Sequence, residues 1–194
     1  MCLPGYGVGM TLDAEIDRRL APWKAQLGGD HEAYRNHVIR VLLLCDRLYP
    51  RVNRAHPATE DAPSRRPEYL TAAAFHDLGI WSAHTFDYLA PSVELARAWL
   101  ADEDQQHLEP LVTTMIDQHH KLRQADVLTS AVEIFRRADT IDVSLGLRRF
   151  GVPLNEYRAI ARRFPDAGFH RRLIAFVWKR LRTNPTSPLP MVKW

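Results

Sequence analysis

Apolar residues recur along most of the chain at intervals of three and four positions, the spacing that places them on one face of an α-helix. The alternation of apolar and polar residues that is typical of a half-buried strand does not recur in this way. We therefore expect an all-α fold, a single bundle of helices. The pattern predicts helices over residues 13–27, 32–49, 67–78, 91–101, 108–120, 127–144, 154–164 and 168–182.

Capping residues and helix breakers indicate where these helices begin and end. Thr11 and Asp13 are suited to cap the first helix, and the glycines of "GGD" at 28–30 predict its end and a cap for the second. The proline-rich segment 54–69 predicts a loop that is either a lid or plain surface. The three prolines of "TNPTSPLPMVKW" favour an extended tail. The expected organisation is a lead-in over 1–12, one helical domain over 13–183 and a tail over 184–194.

The composition is that of an ordinary globular protein. The 194 residues are enough for a substantial core, with 46% hydrophobic and 25% charged residues. The net charge is only +3, and the Lys and Arg residues are scattered rather than clustered. This argues against a nucleic-acid polymer as partner and is compatible with a small anionic substrate.

Cysteine content and hydropathy bear on the compartment. Of the two cysteines, Cys45 lies in the apolar run "VIRVLLLC", which favours a buried free thiol over a disulfide. No stretch reaches the roughly 18 apolar residues of a membrane span, and the opening "MCLPGYGVGM" lacks the pattern of a signal peptide. We expect a cytoplasmic protein that does not associate with a membrane.

Several ionisable residues fall on predicted apolar helix faces. His37 shares its face with Tyr34, Val41, Leu44 and Leu48. Asp139 and Asp142 point into the apolar arc of the sixth predicted helix, opposite Glu133, Arg136, Arg137 and Thr140. Burying an ionised carboxylate costs several kcal/mol unless it is paired or bound to a cation. The ordinary explanations are that His37 is a hydrogen-bonded core histidine and that the aspartates pair with a buried Arg or His.

The stretch "TAAAFHDLGIW" (71–81) ends an apolar run with two adjacent ionisable residues, His76 and Asp77. On a regular helix their side chains would diverge by about 100°. Gly79 indicates that the helix ends here, which lets both side chains turn toward one point. Imidazole nitrogen and carboxylate oxygen are ligands for divalent metals. With His37 and a later aspartate, this pair would form a set of two nitrogen and two oxygen ligands.

The order His37, His76-Asp77, Asp139 resembles the H…HD…D pattern of the HD-domain metal-dependent phosphohydrolase superfamily. The flanking sequences resemble it too: "NHVIRVLLLCDRL" its first helix, "TAAAFHDLG" its second motif and "EIFRRADTIDV" its last. The resemblance covers residues 31–145. It implies helices that converge on one divalent metal ion, with His37, His76, Asp77 and Asp139 as ligands and Asp142 as the alternative to Asp139.

The reaction that the resemblance implies is hydrolysis of a small phosphorylated substrate, a nucleotide or a phosphomonoester or diester. The metal would be Mn, Fe, Co, Ni, Zn or Mg and would activate a water, which Asp77 would orient while also serving as a ligand. A minority of the superfamily are hydratases or iron-dependent oxygenases. The alternatives are therefore a di-iron oxygenase or a hydratase, and a metal-binding module without catalysis.

Three histidines outside the four-ligand set are candidates for the pocket. His84 is either an acid/base group or an exposed loop histidine. His119 and His120 precede the final aspartate, as a histidine pair does in dinuclear relatives of the superfamily. Those relatives also carry a further histidine between the two motifs, where this chain has Tyr88 to Glu94. None stands there, and His84 and His107 are displaced from that position, which favours one metal. His119 and His120 would then contact substrate or the ligands, or simply end a helix.

Basic and aromatic residues complete the expected site. Lys121, Arg123 and Arg40 are candidates for contacts with phosphate, since Arg binds phosphate through two parallel hydrogen bonds. Trp81, Phe86 and Tyr88 would line the pocket or a contact in a homodimer.

Overall fold

The computed structural model of the chain describes residues 10–53, 62–83 and 87–183. The described residues form α-helices and short 3-10 segments without a β-sheet, which confirms the all-α prediction. The α-helices are α1 (Leu12–Leu20), α2 (Lys24–Leu27), α3 (His31–Val52), α4 (Pro67–Phe75), α5 (Gly79–Ser82), α6 (Leu89–Asp102), α7 (Glu109–Gln118), α8 (Ala131–Val143), α9 (Leu154–Arg163) and α10 (Phe169–Thr183).

Helix α3 is the central element of the bundle. It packs against α8 most extensively and also against α4, α1 and α9, while α7 packs against α6, α8 and α4. The buried apolar side chains form one cluster that extends from Ile16 on α1 to Phe169 at the start of α10. Helices α3, α4, α7 and α8 therefore meet inside the bundle, and the candidate site is built where they meet.

The first predicted helix, 13–27, is interrupted. Its N-cap is confirmed, because the Thr11 hydroxyl accepts a hydrogen bond from the backbone N–H of Ala14. The helix changes to a 3-10 turn at Ala21–Trp23, since Pro22 lacks the amide that an α-helix interior needs. Asp30 does not cap α3 as expected. Its carboxylate instead accepts hydrogen bonds from Trp81 and Arg172.

Two further helix boundaries differ from the prediction. The helix expected over 67–78 ends at Phe75, residues 76–78 form a turn, and α5 begins at Gly79. The helix expected over 127–144 begins only at Ala131, because the Ser130 hydroxyl caps it by accepting from the Glu133 amide. The apolar pattern extends back to Val127 and Leu128, but the cap at Ser130 determines where the helix begins.

Some expectations fall on residues outside the described ranges. These are the lead-in up to residue 9, the part of the 54–69 loop from 54 to 61, His84 and Phe86, and the tail over 184–194. The described remainder of that loop contains a 3-10 turn, Pro63–Arg65, and the start of α4. Cys45 is a buried free thiol, as expected. None of the described helices combines the length and apolar character that crossing a bilayer requires.

Candidate metal centre

Five buried ionisable side chains from four structural elements meet at the centre of the bundle. Helix α3 contributes His37, the turn after α4 contributes His76 and Asp77, the residue after α7 is His119, and α8 contributes Asp139. We call these five residues the central cluster. Each is at most 2% exposed. The chain therefore buries two carboxylates and three imidazoles at one point, which is costly unless their charges are balanced there.

A close approach between helices explains why His76 and Asp77 lie in a turn. The Gly79 amide donates a hydrogen bond to the Ser92 hydroxyl at 3.0 Å. A Cβ atom at residue 79 would lie 2.4 Å from the Tyr88 carbonyl oxygen and 2.8 Å from the Ser92 Oγ. Only glycine lets the chain pass so near the start of α6. The glycine after the His-Asp pair therefore determines where α5 starts and how the pair faces the bundle interior.

The hydrogen bonds of the three histidines leave one nitrogen of each ring facing the cluster. The Nδ1 of His76 contacts the Ala73 carbonyl at 2.8 Å, and the Nδ1 of His119 contacts the Ile116 carbonyl at 2.6 Å. The Nδ1 of His37 contacts the Asp142 carboxylate at 2.7 Å. In the neutral form of each ring, the acceptor places the proton on Nδ1, so that Nε2 carries the lone pair. This is the tautomer found in histidines that bind metals through Nε2.

The spacing of the facing atoms suits ligands of one cation. The Nε2 atoms of His37 and His76 are 3.0 Å apart, and they lie 3.6 and 3.7 Å from Asp139 Oδ1. Asp77 Oδ2 lies 3.5 Å from the Nε2 of His76. Ligands about 2.1 Å from a metal are separated by roughly 3.0 to 3.4 Å. The observed distances are close to that range.

Three buried polar atoms of the cluster have no hydrogen-bond partner among the described residues: Asp77 Oδ1, His119 Nε2 and Asp139 Oδ1. An unpaired buried polar atom costs about 1–3 kcal/mol, more when it is charged. His119 Nε2 and Asp77 Oδ1 are 3.3 Å apart, and His119 and Asp139 also offer ligand atoms within 4.8 Å of each other. A cation bound among these atoms would give all three a partner.

The electrostatics of the cluster favour a positive charge at its centre. Burial lowers the pKa of His76, but the carboxylates of Asp77 and Asp139 outweigh burial and raise the pKa to about 9. Burial raises the pKa of Asp77 and of Asp139, yet the neighbouring histidines outweigh it and hold both pKa values below their usual range. The carboxylates therefore stay ionised and attract a cation, which is a proton in the absence of a metal.

Asp142 does not belong to the central cluster. Its carboxylate accepts hydrogen bonds from Arg40 Nε at 2.7 Å and from a terminal nitrogen of Arg40 at 2.8 Å, and it contacts the Nδ1 of His37. These contacts use both oxygens behind the His37 ring. Asp139 instead faces the cluster with a free oxygen. Of the two aspartates left open by the sequence, the geometry favours Asp139 as the ligand.

Arg40 is not placed to bind the phosphate of a substrate. It is 2% exposed, and besides Asp142 its guanidinium binds the carbonyl oxygens of Phe164 and Pro165. Lys121 is half-buried and Arg123 is exposed, and the role of both stays a prediction. Arg40 was expected to contact phosphate in the pocket, but it lies behind His37, a candidate ligand, and binds Asp142 there.

The two neighbouring histidines occupy different places. His119 belongs to the central cluster, where its Nε2 atom lies 3.3 Å from the candidate ligand Asp77. His120 is half-buried, and His119, His120 and Asp139 also lie within ligand distance of one another. The Nε2 of His120 contacts the Tyr88 hydroxyl. Burial, followed by the charge of His119, lowers the pKa of His120 to about 3, so this ring is neutral near pH 7.

Glu133 and Arg136, which the sequence pattern places opposite the apolar arc of the sixth predicted helix, form a buried ion pair. Glu133 and Arg136 are at most 2% exposed. The Glu133 carboxylate accepts hydrogen bonds from Arg136 and from the Ala125 amide, and Arg136 donates to the Lys121 carbonyl. They are buried although they lie opposite the apolar arc, because the segment that follows the histidine pair covers them. The ion pair thereby anchors that segment next to the central cluster.

Two aromatic residues contribute to the site in ways that the sequence did not indicate. Tyr88 was expected to line the pocket or a dimer contact; it is 1% exposed and contacts His120. Phe169 stacks on the His37 ring with ring centroids 4.0 Å apart, from a part of the chain beyond the motif region 31–145. Only the "GF" at the start of the last predicted helix marked its position, and nothing in it signalled proximity to His37.

The chain matches no protein-family model, no curated protein and no solved structure. The geometry of the central cluster and the motif order are therefore the features that point to a function. What these residues form is a buried set of histidine and aspartate side chains at ligand distances, a candidate metal-binding site.

Proposed function

We propose that the chain is a metal-dependent phosphohydrolase of the HD-domain type that acts on a small phosphorylated substrate. The observation that carries the proposal is that the Nε2 atoms of His37 and His76 converge on an unpartnered oxygen of Asp139, with Asp77 beside His76. These four residues, in the order of the H…HD…D motif, would hold one divalent cation. The cation would supply a nucleophilic water near neutral pH and polarise a phosphoryl oxygen.

The chain's own residues have distinct tasks in this proposal. The Nδ1 contacts of His37, His76 and His119 hold their protons away from the cation, so that Nε2 stays a lone-pair donor. Asp77 presents one oxygen toward His76 and the other toward His119. This position suits a group that orients a water while it binds the cation. Lys121 and Arg123 follow the histidine pair and are the candidates to bind the substrate's phosphate.

A second candidate function has a specific observation in its favour. Two further sets, His76–Asp77–His119 and His119–His120–Asp139, each bring three ligand atoms within 4.8 Å of one another. They overlap the four-residue set and would suit a second cation. Two bound irons would indicate the oxygenase chemistry known for a minority of the superfamily rather than phosphoester hydrolysis.

Elemental analysis of protein purified without chelator or added metal tests the proposal, followed by a panel of nucleotides, phosphomonoesters and phosphodiesters. We expect about one Mn, Co, Ni, Zn or Mg per chain and release of phosphate from part of the panel. About two irons per chain would move the proposal to the oxygenase. A protein that stays empty when divalent ions are added would contradict the metal site.

A matched pair of variants separates the site from general damage to the protein. His76→Ala removes a candidate ligand and should lose the metal, and hydrolysis should fall more than about 100-fold, since even residues behind the ligands cost 10–100-fold when replaced. His107→Ala removes an exposed histidine between α6 and α7 and should retain both metal and activity. Equal behaviour of the two variants would refute the assignment of His76.

A further inference from the structure

His37 is held differently from the other two histidines of the central cluster. The Nδ1 atoms of His76 and His119 each contact a backbone carbonyl three residues earlier in the chain. The local chain alone therefore sets the tautomer of these two rings. His37 has its Nδ1 contact with a side chain from another helix, Asp142 on α8. Its orientation consequently depends on tertiary structure.

Asp142 and His37 are held by Arg40 of α3 and by residues 164–170, which comprise the connection between α9 and α10 and the first two residues of α10 and which we call the 164–170 segment. Arg40 forms two hydrogen bonds with the Asp142 carboxylate and donates to the carbonyls of Phe164 and Pro165 at 3.1 and 3.2 Å. The Asn36 amide also donates to the Pro165 carbonyl, at 2.9 Å. The segment thus fixes Arg40, which fixes Asp142, which fixes the proton on His37.

The same segment also contacts the His37 ring directly. Phe169 is fully buried and lies parallel to the ring, with an interplanar angle of 14°. His170 contacts the Asp142 backbone carbonyl at 3.0 Å and pairs with Asp166. The Gly168 amide donates to the Asp166 carboxylate, which holds the turn in place. The ring plane is therefore set by stacking, and the ring proton by the contact with Asp142.

We propose that the 164–170 segment is a positioning element of the metal centre that fixes the plane and tautomer of His37 through Phe169 and Arg40. This inference rests on the proposed metal site. Phe169 and Arg40 do not face the cation; they determine whether His37 presents Nε2 to it. Loosening the segment should weaken metal binding while His76 and His119, with their local contacts, keep their orientation.

The test compares Phe169→Leu with Phe176→Leu. Both replace a ring on α10 with a smaller apolar side chain. Phe176 packs edge-on against Trp81, whereas the ring contacts of His37 among the described residues are with Tyr34, His76 and Phe169. Co²⁺ affinity, measured by competition with a chelator, should fall about 3- to 10-fold in Phe169→Leu, the range expected for loss of one aromatic contact. The visible absorption bands of bound Co²⁺ should shift as well. Phe176→Leu should match the wild-type protein in both.

Unfolding of the metal-free proteins in urea provides the readout for general loss of stability. A mere packing role for Phe169 predicts lower stability with unchanged Co²⁺ affinity and spectrum, and that result would overturn the proposal. Arg40→Lys is the second variant, in case Phe169→Leu does not fold. Lysine keeps the charge but cannot bind both Asp142 oxygens and the two carbonyls. We expect its Co²⁺ affinity to fall about 10- to 100-fold, and wild-type affinity would contradict the inference.

The outcomes for this inference and for the proposed function are distinguishable. A wild-type protein that binds no Co²⁺ refutes both. A wild-type protein that binds Co²⁺ without hydrolysing any phosphoester refutes the phosphohydrolase alone, provided that the variants lose affinity as described. If the wild-type protein hydrolyses a phosphoester but the variants keep its Co²⁺ affinity and spectrum, the positioning role alone is refuted.

Discussion

Asp139 and Asp142 show how two identical side chains one turn apart acquire different roles from their contacts. Asp142 is bound on both oxygens by Arg40 and His37. Burial raises its pKa, but the hydrogen bonds from His37 and Arg40 outweigh burial and hold the pKa well below the usual range. Asp139 has an oxygen without a partner among the described residues. A free, ionised oxygen is what a cation requires.

Replacing each aspartate by asparagine should separate these roles. Asp139→Asn removes a negative charge and a ligand oxygen, so we expect metal binding to be lost. Asp142→Asn leaves the four candidate ligands in place but weakens the hold on His37, so we expect a decrease of about 10- to 100-fold in metal affinity. Isothermal titration with Zn²⁺ or Co²⁺ measures both. The reverse order of effects would assign the ligand position to Asp142.

At the scale of elements, the turn between α4 and α5 is the feature that directs both side chains of the His-Asp pair into the central cluster. A continuous helix over 67–78 would point His76 and Asp77 in directions about 100° apart. The helix instead ends at Phe75, and both side chains reach the central cluster. The sequence indicated the end of the helix through Gly79. It did not indicate that α6 passes so near that no Cβ atom fits.

Gly79→Ala tests this close approach. The added methyl group would overlap the Tyr88 carbonyl oxygen and the Ser92 hydroxyl, both within 2.8 Å. We expect the free energy of unfolding to fall by about 1–3 kcal/mol, the usual cost of an overpacked core. Gly29→Ala is the matched control, because nothing lies within 4 Å of a Cβ atom there. Urea unfolding measures both, and equal stability of the two variants would show that the contact with α6 relaxes freely.

At the scale of the whole molecule, the central cluster connects helices that are far apart in sequence. Its members come from α3, the turn after α4, the end of α7, and α8, with the 164–170 segment behind them. A cation bound at this point would join four elements of the folded state. The unfolded chain does not bring these residues together, so binding should stabilise the fold as a whole.

Removal of the metal should therefore lower global stability. At a free metal concentration of about 100 times Kd, binding adds about 2.7 kcal/mol to the free energy of unfolding. We expect chelator to lower the melting temperature of the wild-type protein and added metal to restore it. His76→Ala, which lacks a candidate ligand, should melt at the same temperature with and without chelator. If neither chelator nor added metal changed the melting temperature of the wild-type protein, the expectation that a metal binds only the folded state would be contradicted.

The gain in stability should also depend on pH with a definite sign. His76 has a pKa of about 9 in the metal-free protein, so it carries a proton at neutral pH, and the cation must displace that proton. Metal affinity should therefore increase as the pH rises and level off above about 9. Below that pH the increase should approach tenfold per pH unit for one displaced proton. Titrations at several pH values measure it, and affinity independent of pH would show that no proton leaves on binding.

The sequence by itself determined the helical class and most of the candidate ligands. Both follow from local information, because apolar periodicity reports which face of a helix is buried. A histidine or aspartate on such a face is conspicuous without any structure. Of the residues expected to form the site, the structure brings His37 and His76 within ligand distance of Asp139, and His76 within ligand distance of Asp77.

Only the tertiary structure decided what depends on contacts between distant segments. It favoured Asp139 over Asp142 through the position of Arg40, which also excluded Arg40 from the role of a phosphate contact. It brought His119 into the central cluster and buried Glu133 with Arg136. It also placed Phe169 on His37. None of these follows from periodicity, since residues more than 100 positions apart, such as His37 and Asp142, acquire their relation only when the helices pack.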